Sequence, residues 1–141
     1  MIERIQRSLL VFAIAALALS GAVFAQDAFG TQLATAVQHA EFSMGADDVD
    51  MAVRHLGHVL NCIAGEGGEG FDGSWGHPCD GQGAGLVSDI EGHAAADDLM
   101  AVLRSAHGLA MEGVEAGSLG AVQAAAAGVR ALLMVIGEHG G

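Results

Sequence analysis

Seven histidines and two cysteines are the side chains in this 141-residue sequence best suited to hold a metal or exchange electrons. Two of the histidines and one cysteine share a single run, RHLGHVLNC, from Arg54 to Cys62. Spacings of three and four put His55, His58 and Cys62 on adjacent turns of one helix. Neutral imidazole is the commonest protein ligand for copper, zinc and nickel. Cysteine offers either a disulfide or a thiolate ligand.

The histidines gain meaning from their heights along the chain. A helix reading over the residues before Gly45 and after Asp48 makes an antiparallel hairpin with its turn near residues 46 and 47. His39 is then level with residues 53 to 55, so His39 and His55 share a height. At about 100° per residue, His39 sits about 120° and His55 about 85° from the middle of its helix's apolar stripe. Both are displaced in the same sense, so they either face each other in the groove or both point away. His58 falls farther out. His107 precedes its own turn by the interval seen for His39, but it is turned toward a different seam. The candidate ligands are therefore His39, His55, His58 and His107, with His77, His93 and His139 read as solvated. Met44, Met51 and Met111 lie toward the same end, and thioether beside imidazole favours Cu(I) over zinc. Solvated flank histidines, methionine as core filler and a non-covalent haem held by a His/Met or His/His pair are the alternatives.

The elements that must position these residues begin after a leader. Arg4 and Arg7 precede the apolar run LLVFAIAALAL and the small-residue end SGAVFA, the pattern of a signal peptide cleaved after Ala25. That run is too short for the roughly 20 apolar residues of a membrane span. The expected products are a signal peptide over 1–25 and one domain over 26–141, in a periplasmic or secreted location. Without Glu3, Arg4 and Arg7, the remainder has 16 acids, 3 arginines and no lysine, a net charge of −13 with histidines neutral. Such a surface repels nucleic acid and anionic membranes and attracts cations, or simply keeps an exported protein soluble. It names no protein partner.

Four segments show helical periodicity and none alternates with period two. Phe29, Leu33, Val37, Ala40 and Met44 form the first stripe, ended by Gly45. The second starts in ADDVD, where acids suit a helix N-terminus, and runs through Val49, Ala52, Leu56, Val59, Leu60 and Ile63 to Gly65. Ser88 or Asp89 is placed to cap a third carrying Leu99, Val102, Leu103, Ala106 and Ala110. The fourth runs from about Ser118 through Val122, Val129, Leu132, Leu133 and Ile136. HAEFSMG from His39 and HGLAMEG from His107 read as one unit used twice, with turns near 45–48 and 113–117. The expected fold is all-α: an up-down-up-down four-helix bundle of two hairpins, with a glycine-rich loop over 65–87 between helices two and three.

A loop of that length needs anchoring. Cys62 at the end of helix two and Cys79 in the loop are the only cysteines, and an exported chain meets an oxidising compartment, so a disulfide between them is expected. A thiolate metal site or redox exchange is the alternative. Trp75 and Phe71 read as hydrophobic anchors for the loop. No CxxCH, EF-hand spacing, GxxxxGK[ST] or HExxH occurs, which excludes c-type haem attachment and gives no calcium, phosphate-loop or metalloprotease signature. No catalytic constellation is visible either, so no enzyme activity is expected.

The stretch AVQHAEFSMGADDVDMAVRHLGHVL resembles the repeating units of small histidine-rich periplasmic metal-binding proteins, where AVxHAE-like and HAxxxL-like helices flank a glycine-containing turn. The resemblance covers about 25 residues and implies a four-helix monomer that buffers or scavenges divalent metal, with His39 and His55 at the matching positions. That family is richer in histidine and lacks the loop with two cysteines, which leaves one or two sites. The expected cofactor is thus a transition-metal ion, copper or nickel. A b-type haem electron carrier on the same fold, or a ligand-free interaction or stress module, is the alternative.

Overall fold

The structure, a computed structural model, describes residues 28–93 and 95–140. The leader read at 1–25 lies outside the described residues. Among the described residues every regular element is helical: α1 over 28–44, α2 (Val49–Ala64), the one-turn α3 (Leu86–Asp89), α4 (Ala96–Val114) and α5 (Leu119–His139). Single 3₁₀ turns lie at Gly73–Trp75 and Ile90–Gly92. The four long helices occupy the four periodic segments, and α3 is a fifth that periodicity did not announce.

Local chemistry explains the boundaries. The Gly45 N–H closes α1 on the Glu41 carbonyl at 3.0 Å. The Asp48 carboxylate then caps α2 by accepting the Met51 N–H at 2.8 Å, and Ser118 caps α5 through Ala121 N–H at 3.4 Å. Such caps contribute about 1 kcal/mol each. The second turn lies at 115–118, two residues beyond the start read from the repeat, and it has the same sequence of turn and bend residues as 45–48.

The third long helix starts later than expected. Neither Ser88 nor Asp89 caps it; α4 begins at Ala96, with no side-chain bond at its N-terminus. Asp89 is committed elsewhere, because Gln32 of α1 is fully buried and its amide needs partners. Gln32 Nε2 donates to Asp89 Oδ2 at 2.6 Å, while Gln32 Oε1 accepts the Gly85 N–H at 3.0 Å. Gln32 and Ser43 take buried places on α1, whereas Met44, counted in the apolar stripe, is 39% exposed.

The core is filled by Leu56, Leu60 and Ile63 of α2, Leu103 of α4, Val122, Val129, Leu133 and Ile136 of α5, and Phe29 and Leu33 of α1. Alanines bring the helices close together. Closest is Gly113, where a Cβ would stand 2.5 Å from Leu56 and 2.7 Å from Ala125. By length and composition alone α5, with a mean hydropathy of 1.8, is apolar enough to cross a membrane; here Val122, Ala125, Ala126, Val129, Leu133 and Ile136 face the core.

The loop is pinned at its base and along its course. Gly65 and Gly85 both have positive φ, 72° and 108°, and a Cβ on Gly65 would lie 2.0 Å from the Ala84 carbonyl oxygen. The chain therefore leaves α2 and returns to α3 through the same narrow gap. Cys62 and Cys79 form the expected disulfide, with Cα atoms 5.3 Å apart and both residues fully buried. Closing a loop of this size contributes about 3 kcal/mol in the chain-entropy model. We expect denaturant unfolding with and without a dithiol reductant to differ by about that amount. Identical curves would show that the bond adds nothing to stability.

Candidate metal centre

The hairpin of α1 and α2 brings three imidazoles together: His39 from α1, and His55 and His58 from successive turns of α2. Of the two arrangements the sequence left open, the facing one is found. His39 Nδ1 lies 3.2 Å from His55 Nδ1 and 3.1 Å from His58 Nδ1, and the three candidate ligand atoms are mutually within 4.8 Å. Four nitrogens around a metal at 2.0–2.1 Å are separated by about 3.3–3.4 Å, so the two measured gaps already have the size of edges of a coordination tetrahedron.

His58 corrects the rotational count, which had placed it farthest out. The loop is the reason. Its 3₁₀ turn lies over this flank of α2, and the Trp75 carbonyl accepts a hydrogen bond from His58 Nε2. Trp75 sits there because residue 57 is glycine: a Cβ at that position would lie 2.3 Å from the indole ring. Asn61, one turn on, is fully buried and bonded to the same loop. Its Nδ2 donates to the Asp72 and Gly76 carbonyls at 2.8 and 2.7 Å, and its Oδ1 accepts the Asp72 N–H at 2.9 Å. Gly57, Asn61 and the Trp75 carbonyl were missed as parts of the site. Their only sequence signal was GHVLNC itself, whose glycine and asparagine interrupt an otherwise apolar helical segment.

A carbonyl only accepts, so His58 Nε2 carries the proton and its Nδ1 presents a lone pair to the cluster. His39 Nδ1–H then donates to His58 Nδ1, and that one proton also serves the contact with His55. Nitrogen lone pairs thus converge with too few protons to satisfy them, a geometry that a cation relieves. The electrostatics agree. Burial, followed by the charges of His58 and His55, lowers the His39 pKa from 6.5 to about 4. Burial is also the first cause of lowered values at His55, with His58 and Arg54 adding to it. At His58, burial and Arg54 outweigh the opposing pull of the Trp75 carbonyl. The three imidazoles are accordingly neutral at pH 7, the charge state a metal requires, and an ion held at His39 Nδ1 needs that ring's other tautomer, with its proton on Nε2.

Phe42 flanks the cluster, its ring centroid 5.4 Å from that of His39 and 5.3 Å from that of His55. Beside it opens a cavity of about 320 Å³ lined by His55, Met51, Phe42, Glu41, Asp47 and Asp48. Met51 is 46% exposed there. His55 is the cluster's member on this cavity, whose lining is acidic with one thioether.

His107 is not part of the cluster. Its Nε2 donates to the Glu69 carbonyl at 2.8 Å, and it faces Gly70 of the loop together with Met111. The reason is register. The two turns match at an offset of 70 residues, 45–48 with 115–118, whereas HAEFSMG and HGLAMEG match at 68. Two residues on a helix are about 200° of rotation, which sends His107 to the other side. The positions that correspond to His39, His55 and His58 are Leu109, Ala125 and Gly128, and a Cβ on Gly128 would lie 2.6 Å from Leu109. One hairpin thus has imidazoles where the other has a close apolar contact. No protein-family model, curated protein or solved structure matches the chain.

A histidine held neutral in the fold makes stability pH-dependent. Between pH 6.5 and about 4 the unfolded chain binds a proton at His39 that the folded chain does not, so stability falls as the pH falls through that window. The metal-free protein is expected to show a denaturation midpoint that drops from pH 7 to pH 4, and His39→Ala should flatten the drop. An equal slope in the variant would rule out this origin.

Proposed function

We propose that this protein binds one transition-metal ion through the Nδ1 atoms of His39, His55 and His58, and that it works as a metal buffer or scavenger in the periplasm or another oxidising exported compartment. The observation that carries the reading is the spacing of the nitrogens, 3.1 and 3.2 Å, in a cluster whose members are neutral. Three imidazoles suit copper, nickel and zinc, and copper or nickel is the preferred cargo. The disulfide supports the compartment, since such bonds form and persist where thiols are oxidised.

Three protein ligands leave a coordination position free, and in this reading it faces the cavity lined by Met51, Asp47 and Asp48. A ligand set without a carboxylate or thiolate leaves the ion its full charge. The acids of the mouth then offer attraction during entry and partial compensation afterwards. Exchange through an open side suits a buffer better than a closed structural site does. We read the protein as a binder and not as an enzyme, with Asp48 at the cavity occupied in capping α2. The four long helices, in up-down-up-down order, serve as the scaffold for the hairpin groove. A haem held by two of these histidines would need their nitrogens on opposite faces of a flat macrocycle, and nitrogens this close together leave no room for one between them.

Calorimetric titration of the purified protein with Cu(II), Ni(II) and Zn(II) is expected to give one ion per chain. His39→Ala with His55→Ala should abolish uptake, while His107→Ala should leave it unchanged. Undiminished binding by the double variant would refute the site.

A further inference from the structure

Four residues of one α2 segment do separate things to one loop. Gly57 leaves space for the Trp75 ring, His58 donates to the Trp75 carbonyl, Asn61 holds the Asp72 and Gly76 backbone, and Cys62 is bonded to Cys79. The segment from Asp72 to Cys79 is therefore held against α2 over its whole length. Its hydrogen bond to the ligand set, from His58 Nε2 to the Trp75 carbonyl, decides which His58 nitrogen carries the proton.

We propose that this disulfide-held loop is the positioning apparatus of the metal site, so that the site reaches full affinity only in the oxidised chain. The inference rests on the metal-binding reading above and adds its regulation. With the loop seated, the Trp75 carbonyl fixes the Nε2–H tautomer of His58 and aims its Nδ1 at His39. With the loop released, His58 loses that partner and its ring is free to rotate and to change tautomer. Outer partners of ligating histidines typically govern metal affinity by about 10- to 100-fold. Gly57 and Asn61 are positioning residues in this sense, since neither offers a ligand to the ion.

The chemistry that couples the two states is thiol–disulfide exchange. A disulfide donor accepts two electrons from the Cys62 and Cys79 thiols, its own S–S bond breaks as the Cys62–Cys79 bond forms, and the two thiol protons end on the donor, now a dithiol. The reverse reaction with a dithiol reductant opens the bond. A chain still reduced before export would hold metal weakly, and the same chain after oxidation would hold it tightly. Metal loading would thus wait for the compartment in which the protein works.

Gly57→Ala gives the cleanest test. Alanine favours a helix over glycine by up to about 1 kcal/mol, so α2 itself is not weakened. The new methyl must displace Trp75, while all three histidines and the disulfide remain. Cu(II) and Ni(II) affinity should fall about 10- to 100-fold. Emission from Trp75, the only tryptophan, should shift to the red. Nitrogen NMR of the metal-free variant should show His58 as a mixture of tautomers, in place of the single Nε2–H form of the parent. Cys62→Ala with Cys79→Ala is expected to give the same loss and cannot introduce a thiolate ligand. Circular dichroism checks that its helices persist, and if they do not, Gly57→Ala alone decides. Parent-like affinity in Gly57→Ala with Trp75 displaced would overturn the proposal. If Trp75 stays seated in Gly57→Ala, the loop has not been released and the cysteine double variant decides instead: parent-like affinity there, with the helices intact, would overturn the proposal. A parent protein that takes up no metal would instead refute the metal reading itself.

Discussion

Backbone buried against a helix must find hydrogen-bond partners, and here it is a loop's backbone that covers the flank of α2. The helix answers with side chains: Asn61 takes two carbonyls and an N–H, and His58 takes the Trp75 carbonyl. The disulfide from Cys62 to Cys79 and the vacancy left by Gly57 keep the segment close enough for those bonds. An apolar residue at 61 would take the side-chain partner from the Asp72 N–H and the Gly76 carbonyl, and any side chain at 57 would displace the indole. The loop thus supplies the backbone carbonyl that anchors an imidazole.

The two halves of the molecule show how little separates a metal site from ordinary packing. Both hairpins turn through the same four-residue pattern and cap the next helix with an oxygen side chain, Asp48 in one and Ser118 in the other. At matching positions the first hairpin has His39, His55 and His58, and the second has Leu109, Ala125 and Gly128. In the second, Leu109 fills the space above Gly128, while Ala125 packs against Gly113. The first is lined with nitrogen and opens onto an acidic cavity.

Electrostatics at the cluster are local. The whole chain carries a net charge of −12, which taken alone would favour protonated histidine. Yet His39, His55 and His58 all shift the other way. Partial burial, mutual repulsion among the rings and the charge of Arg54, next to His55 in the chain, act locally. Most acids lie on the surface, where solvent and salt screen them beyond about 10 Å. The acidic surface can draw cations toward the molecule without protonating the residues that would hold one.

Periodicity along the chain was enough to place the four long helices, the starts in ADDVD and near Ser118, the Gly45 stop and the shared height of His39 and His55. Two cysteines in a chain read as exported sufficed to expect the disulfide. These are local properties, or properties of a short hairpin, and the chain near each residue dictates them. Tertiary structure decided the rest. It drew His58 inward, because the covering loop is anchored by residues up to 18 positions away, and it diverted Asp89 from capping α4 to serving the buried Gln32. It also sent His107 to the far side through a two-residue register difference that weak sequence similarity conceals. A helix's own stripe tells how far a residue lies from the core. What covers the flank is settled only when distant backbone arrives with polar groups that must be paired.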